Sequence, residues 1–165
     1  MARAGFWAIG GYRISFRTDG HWYADDEVIG NEKIALLFSK HVMPDREAEH
    51  ADGDPQWVID LGIDRQPVEI EDTALVVRSV EGSPKAGFRV TTNDDVTDEL
   101  DCSTLRAGAD NVLYCDVDRG ERGTITARFL RPAYYELAAW VEESDDDLVL
   151  ACRGRRFHIM TADAR

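Results

Sequence analysis

The string with most of the makings of chemistry is Thr92-Asn93-Asp94-Asp95, with Asp98 close behind it. Carboxylates and an amide oxygen converging on one loop form a donor set that a hard cation such as calcium or magnesium accepts. The string lacks the alternating spacing and the glycine of a calcium-binding loop. Asn and Asp that follow a strand also cap turns by bonding their own backbone. A second constellation is Arg131 with Tyr135 at the start of a helix. A helix N-terminus draws anions, and a guanidinium there adds a bidentate fork for a carboxylate or phosphate. The same fork serves internal ion pairs, so Arg131 is expected as a buried or half-buried link to Asp94 or Asp95. Asn93, Asp94, Asp95, Arg131 and Tyr135 are thus the candidate residues, for a ligand or for a structural network.

Other chemistries find little support. Nucleophilic catalysis needs Ser, Cys or Thr beside a His and an orienting acid, but His21, His41, His50 and His158 are scattered over a hairpin, a helix end, a loop and the last strand. There is no nucleophile elbow, and Gly10-Gly11 lacks the lysine and the following helix of a phosphate loop. Cys102, Cys115 and Cys152 are odd in number and widely spaced, which suits reduced, metal-free thiols in a reducing compartment. Glu69 and Glu71 alternate along a strand as a wet face, and Asp145-Asp146-Asp147 reads as a solvated loop after the second helix. No catalytic residue and no cofactor is expected.

Charge narrows the partners. A formal net charge of −13 and a pI near 4.6 repel a phosphate backbone, which needs a clustered basic surface. Nucleic acid is therefore excluded, and a small anionic ligand or a protein remains. The acid is mostly Asp and the base mostly Arg, as in a surface adapted to salt or a GC-rich coding bias. No apolar run reaches membrane-spanning length, and the residues from Met1 to Gly11 do not form a secretory signal, so the expected location is the cytoplasm.

The elements that must position these residues follow from periodicity. Tyr12, Ile14 and Phe16 alternate up to Asp19-Gly20, and Trp22 resumes beyond it, a strong hairpin signal. Asn31 can cap a helix carrying Ile34, Leu37, Phe38, His41 and Val42 on one face, which Pro44 ends. Residues 45–55 read as an exposed loop. Strands resume around Trp57–Leu61, Val68–Ile70 and Leu75–Val77, with a long-looped hairpin across Glu81-Gly82-Ser83-Pro84 to Phe88–Thr92. Asn93 to Gly108 is polar and irregular. A hairpin about Asp118-Arg119-Gly120, a helix with Pro132 in its first turn and Tyr134, Leu137, Ala138 and Val141 on one face, and a closing hairpin about Gly154 complete the chain. Trp22, Leu37, Phe38, Phe129 and Leu137 are expected in the core.

Several strings together resemble a bacterial domain-of-unknown-function family, the one numbered twelve eighty-five. They are Asp19-Gly20-His21-Trp22-Tyr23, Ile29-Gly30, Leu36-Leu37-Phe38-Ser39, Pro67-Val68-Glu69-Ile70-Glu71-Asp72, Thr91-Thr92-Asn93-Asp94-Asp95, and Arg131 with Tyr134-Tyr135-Glu136-Leu137. They occur in the family's order from about Ile14 to Ile159. The resemblance implies an α+β fold with repeated structural motifs and an association with signal transduction, and it brings no catalytic residues. The chain departs from the pattern at Trp57-Val58-Ile59-Asp60-Leu61, where the family tends to carry an aromatic followed by Leu-Val-Thr-Pro.

The expectation is an α+β protein of two similar hairpin-helix-strand units, residues 1–72 and 73–165, with mainly antiparallel sheets packed on two helices as one body. Its function would be that of a non-enzymatic binding or regulatory module. The alternative is a metal-dependent enzyme using Asn93, Asp94 and Asp95.

Overall fold

The Asp19-Gly20 turn forms as the sequence predicts. Gly20 takes a φ of +84° that a side chain would resist, its N–H donates to the Arg17 carbonyl, and the Asp19 carboxylate accepts from the His21 N–H. The computed structural model, described over residues 11–46, 56–62 and 64–161, builds this turn between β1 (Ile14–Phe16) and β2 (Trp22–Ala24). A tight turn at Asp25 leads to β3 (Glu27–Val28). The Asn31 side chain then accepts from the N–H groups of Lys33 and Ile34 and starts α1 (Glu32–His41). Strands β4 (Val42–Pro44), β5 (Trp57–Asp60) and β6 (Arg65–Ile70) return, and β6 lies parallel to β1. The resulting six-stranded sheet has the order β3-β2-β1-β6-β5-β4.

Next come β7 (Leu75–Ser83), β8 (Gly87–Thr92) and β9 (Thr97–Glu99), followed by β10 (Arg106–Ala107), β11 (Leu113–Asp118) and β12 (Thr124–Phe129). Helix α2 (Arg131–Ala138) precedes β13 (Val141–Ser144), β14 (Asp147–Cys152) and β15 (Arg155–Thr161). Together these nine strands make the sheet β13-β14-β15-β10-β11-β12-β7-β8-β9. Its first six positions follow the order of the smaller sheet read backwards: three strands, a helix and three strands, with the first and last strands parallel at the centre. In the larger sheet the third strand of this pattern, β12, also carries β7 along its outer side in parallel.

The expected α+β architecture is corrected by this structure. Half of the described residues lie in strands, in two large mixed sheets, and the two helices are minor elements rather than a layer on which the sheets rest. The sheets are not simply antiparallel either, because β1 and β6, β10 and β15, and β7 and β12 pair in parallel. Many of the strands span only two to four residues, too short for a period-two pattern to register in the sequence. The segment read as irregular, 93–108, holds the polar edge strand β9 and the two-residue β10. The Asp145–Asp147 acid is not a loop behind the helix but the turn of the β13–β14 hairpin, with Asp145 and Asp146 at positive φ, a conformation that Asp tolerates.

One apolar cluster unites both sheets. Phe16, Trp22 and Phe38 stack at its first end with ring centroids 4.8 and 5.5 Å apart, and Leu75, Ile125, Phe129 and Leu137 fill its second. Leu37, expected inside, is 39% exposed because Ile34 and Phe38 define the inward stripe of α1. All three cysteines are free and buried, and burial pushes the Cys102 and Cys115 thiols up to about 12.

These placements separate two neighbouring kinds of leucine. Leu137→Ala removes a fully buried side chain and is expected to cost roughly 2 to 5 kcal/mol, whereas Leu37→Ala stays within about 0.5 kcal/mol of the parent. Urea melts of both variants check this, and equal midpoints would put the core face of α2 in the wrong place.

Candidate functional site

The loop between β8 and β9 turns tightly, with Thr92 N–H donating to the Val96 carbonyl and Asp95 N–H to the Thr92 carbonyl. This turn drives Asn93 and Asp94 inward while Asp95, at φ +60°, stays exposed. Asp94 is 0% exposed. One of its carboxylate oxygens, Oδ2, accepts from Arg119 Nε at 2.7 Å and Arg122 Nη2 at 2.9 Å. The other accepts from the Thr92 hydroxyl at 2.6 Å and Arg119 Nη2 at 3.2 Å. Arg119, its side chain 5% exposed, also reaches Asp98 at 2.7 Å. Arg122 continues to the backbone carbonyls of Ser39 and Val42 at the end of α1.

Burial by itself would raise the Asp94 pKa. Hydrogen bonds from Arg119, Thr92 and Arg122, with the charge of Arg119, outweigh that and hold the carboxyl below its ordinary value. The carboxylate oxygens that a metal would need are therefore occupied by guanidinium groups, and among the described residues no group of three His, Cys, Asp or Glu side chains is placed to hold a metal ion. Asn93 is equally satisfied: its Oδ1 accepts from the Val76 N–H at 2.8 Å and its Nδ2 donates to Ser39 Oγ at 2.8 Å. Ser39 Oγ also accepts from the Trp22 indole N–H at 3.0 Å.

The candidates thus divide. Asn93 and Asp94 are brought together in a structural network and Asp95 flanks it, 3.8 Å from Arg78. Arg131 and Tyr135 lie elsewhere, both exposed, in a separate cleft of about 660 Å3 beside Asp19 and Asp110. The link expected of Arg131 is made by Arg119 and Arg122 instead. Both sit in the β11–β12 hairpin loop, which Gly120 and Gly123 mark as a turn. Two arginines three residues apart beside such glycines were the signal available.

Over the network lies a groove of about 720 Å3. Glu32, Ala35, Leu36 and Ser39 recur at helical spacing as its wall on α1. Gly20 to Trp22 and Val28 to Gly30 form the facing wall, and Asn93 lies between. Lys33 and Arg78 bring cations to the lining, against Glu32 and Asp95, with the imidazole of His21 beside them. Four of the strings that carried the family resemblance converge here, those around Gly20–Trp22, Ile29-Gly30, Leu36–Ser39 and Asn93–Asp95. Of the groove's cationic residues, Lys33 and Arg78 were not among the expected site residues, because neither belongs to a chemical motif.

No protein-family model and no curated protein matches the chain. Two solved structures share its fold. The crystal structure of a DUF1285 family protein from Silicibacter pomeroyi DSS-3 is 19% identical, with a TM-score of 0.69 over 92% of this chain and 81% of that one. The DUF1285 family protein from Shewanella baltica OS155 is 17% identical, with a TM-score of 0.58 over 79% of this chain and 93% of that one. The resemblance read from the sequence is matched by this likeness of fold. No described helix is long and apolar enough to cross a membrane.

The network sets a stability prediction. Asp94→Asn leaves Arg119 and Arg122 without their buried counter-charge and is expected to cost about 3 to 5 kcal/mol, while Arg131→Met, at an exposed residue, stays within about 0.5 kcal/mol. Because the folded pKa of Asp94 lies below its unfolded value, its contribution is full above about pH 4 and is lost as pH falls through the folded pKa. Denaturation midpoints should therefore run parallel from pH 6 to about pH 4 and, below that, fall more steeply for the parent than for Asp94→Asn. Slopes that stay parallel below that pH would show that Asp94 is not the titrating partner.

Proposed function

We propose that this chain is a non-enzymatic binding module of the cytoplasm, whose ligand occupies the groove between α1 and the β2–β3 hairpin. The observation that supports this is the groove's make-up: an apolar wall beside cationic side chains, over polar groups that are already satisfied. Such concave, largely apolar sites with a few placed polar groups are where ligands bind. Catalysis is a poorer reading of the same residues. The Ser39 hydroxyl oxygen meets donors, the indole of Trp22 and the amide of Asn93, and neither can take its proton as a nucleophile's activating base must. The metal-dependent alternative would require Arg119 and Arg122 to leave Asp94.

A regulatory use, of the kind the family resemblance implies for signal transduction, is consistent with the site's position. The groove wall α1 and its floor belong to different sheets, joined through Ser39, so occupancy bears on how the two halves pack. The cleft around Arg131 and Tyr135 is a weaker anion site, since Asp19 and Asp110 share it and Arg128 beside them is paired with Asp72 at 2.8 Å.

A fragment set rich in carboxylates and phosphates, followed by amide chemical shifts, tests this reading. Hits should perturb residues 28–36 and raise the melting temperature, as any ligand preferring the folded state does. Leu36→Trp, which fills the groove, should abolish both effects, and magnesium or calcium should leave the melt unchanged. Hits that survive Leu36→Trp but vanish with Arg131→Ala would move the site to the other cleft.

A further inference from the structure

Helices α1 and α2 begin at equivalent places in the two three-strand, helix, three-strand segments, with Asn31 and Leu130 as their N-terminal caps. The strands that lead into these caps, β3 and β12, are therefore equivalent. In the larger sheet β12 receives β7 in parallel, Ala127 opposite Leu75, Arg128 opposite Val76 and Phe129 opposite Val77. Helix α2 packs on the strand so received. In the smaller sheet the equivalent strand, β3, is an edge, and the groove lies between it and α1.

The backbone of that edge is poised to pair. Ile29 N–H donates to the Trp22 carbonyl, so Trp22 with Ile29, and Ala24 with Glu27, are the hydrogen-bonded pairs of the β2–β3 ladder. The pair between them, Tyr23 with Val28, is then the kind whose N–H and C=O groups point away from each other. The Val28 N–H and C=O accordingly face outward from the sheet, and Val28 is exposed.

We infer that the groove takes an extended peptide from a partner protein, which adds to β3 as a parallel strand in the place that β7 holds beside β12. This rests on the reading of the groove as the binding site and names its ligand class. Main-chain bonds to Val28 supply the attachment, and alternate side chains meet Ala35, Leu36 and Trp22. Among the groove's charged residues Arg78 is paired with Asp95 at 3.8 Å, which leaves Lys33, beside Glu32, as the cation for an incoming strand. The peptide is therefore apolar at its centre and carries an acidic residue that Lys33 can reach.

A phage-displayed library of random linear octapeptides tests this on the full chain. Selected sequences should be apolar with an Asp or Glu at one fixed position. Their binding should slow hydrogen exchange at the Val28 amide. Val28→Pro, which deletes the outward N–H and leaves the groove's side chains in place, should weaken them by about tenfold or more. Leu36→Trp should abolish binding altogether. Unchanged exchange at Val28 in the parent overturns the inference without reliance on any variant folding. So does binding that survives Val28→Pro. If no peptide is selected while small fragments bind and are blocked by Leu36→Trp, the groove reading stands and the peptide falls. If the parent dimerises in solution and Val28→Pro is monomeric, β3 pairs with a second copy and the partner peptide is overturned.

Discussion

A single buried carboxylate holds the two sheets in place. Taking the Asp94 charge out of water costs several kcal/mol unless charge and hydrogen bonds replace the lost solvent, and the fold answers with two guanidinium groups and a hydroxyl. Those guanidiniums come from the β11–β12 hairpin loop, and Arg122 hands the connection on to the carbonyls at the end of α1. One chain of charge-assisted bonds therefore runs from β9 through the loop after β8 to the first helix. Removing any member leaves a buried charge or dipole unanswered, so the network specifies one relative placement of its elements.

The groove inherits its rigidity from this arrangement. Asn93 spends both ends of its amide, on the Val76 N–H and on Ser39, and Ser39 anchors the indole of Trp22. Each wall of the groove is thereby tied to the same buried polar chain rather than to loose surface contacts. A site held in this way loses little ordering entropy when it fills, which is where much of the cost of binding ordinarily lies.

Local structure was legible in the sequence wherever one residue type decides a backbone conformation. The Asp19-Gly20 turn, the Asn31 cap and the Gly154 hairpin form where turn and cap chemistry place them. The sheet architecture was not, because parallel pairing of strands distant in sequence leaves no local trace, and strands of two or three residues carry no readable period. The site was half legible. Asn93 and Asp94 stood out as residues with work to do, but which cation answers them is a matter of tertiary geometry, and three arginines in the region were formally equal. Arg131 belonged to the recognisable string, yet Arg119 and Arg122 lie on the loop that the fold brings to Asp94.

The edges of the two sheets show which surface the fold leaves available. An exposed edge invites pairing, and proteins blunt it with charge, proline or a cover. At β4 the Val42 carbonyl is taken by Arg122 and Pro44 follows. Strand β13 presents Glu142 and Glu143, and β9 runs Thr97-Asp98-Glu99. Strand β3 is protected at its turn end alone, by Asp25, Asp26 and Glu27, and Val28, with Ile29 and Gly30 just beyond the strand, borders an apolar-walled groove beside Lys33. Three edges repel a further strand through charge or lack a free acceptor for it. The fourth repels at one end and, at the other, supplies outward main-chain groups at Val28, apolar contacts and the Lys33 cation, which is the combination a specific incoming strand requires.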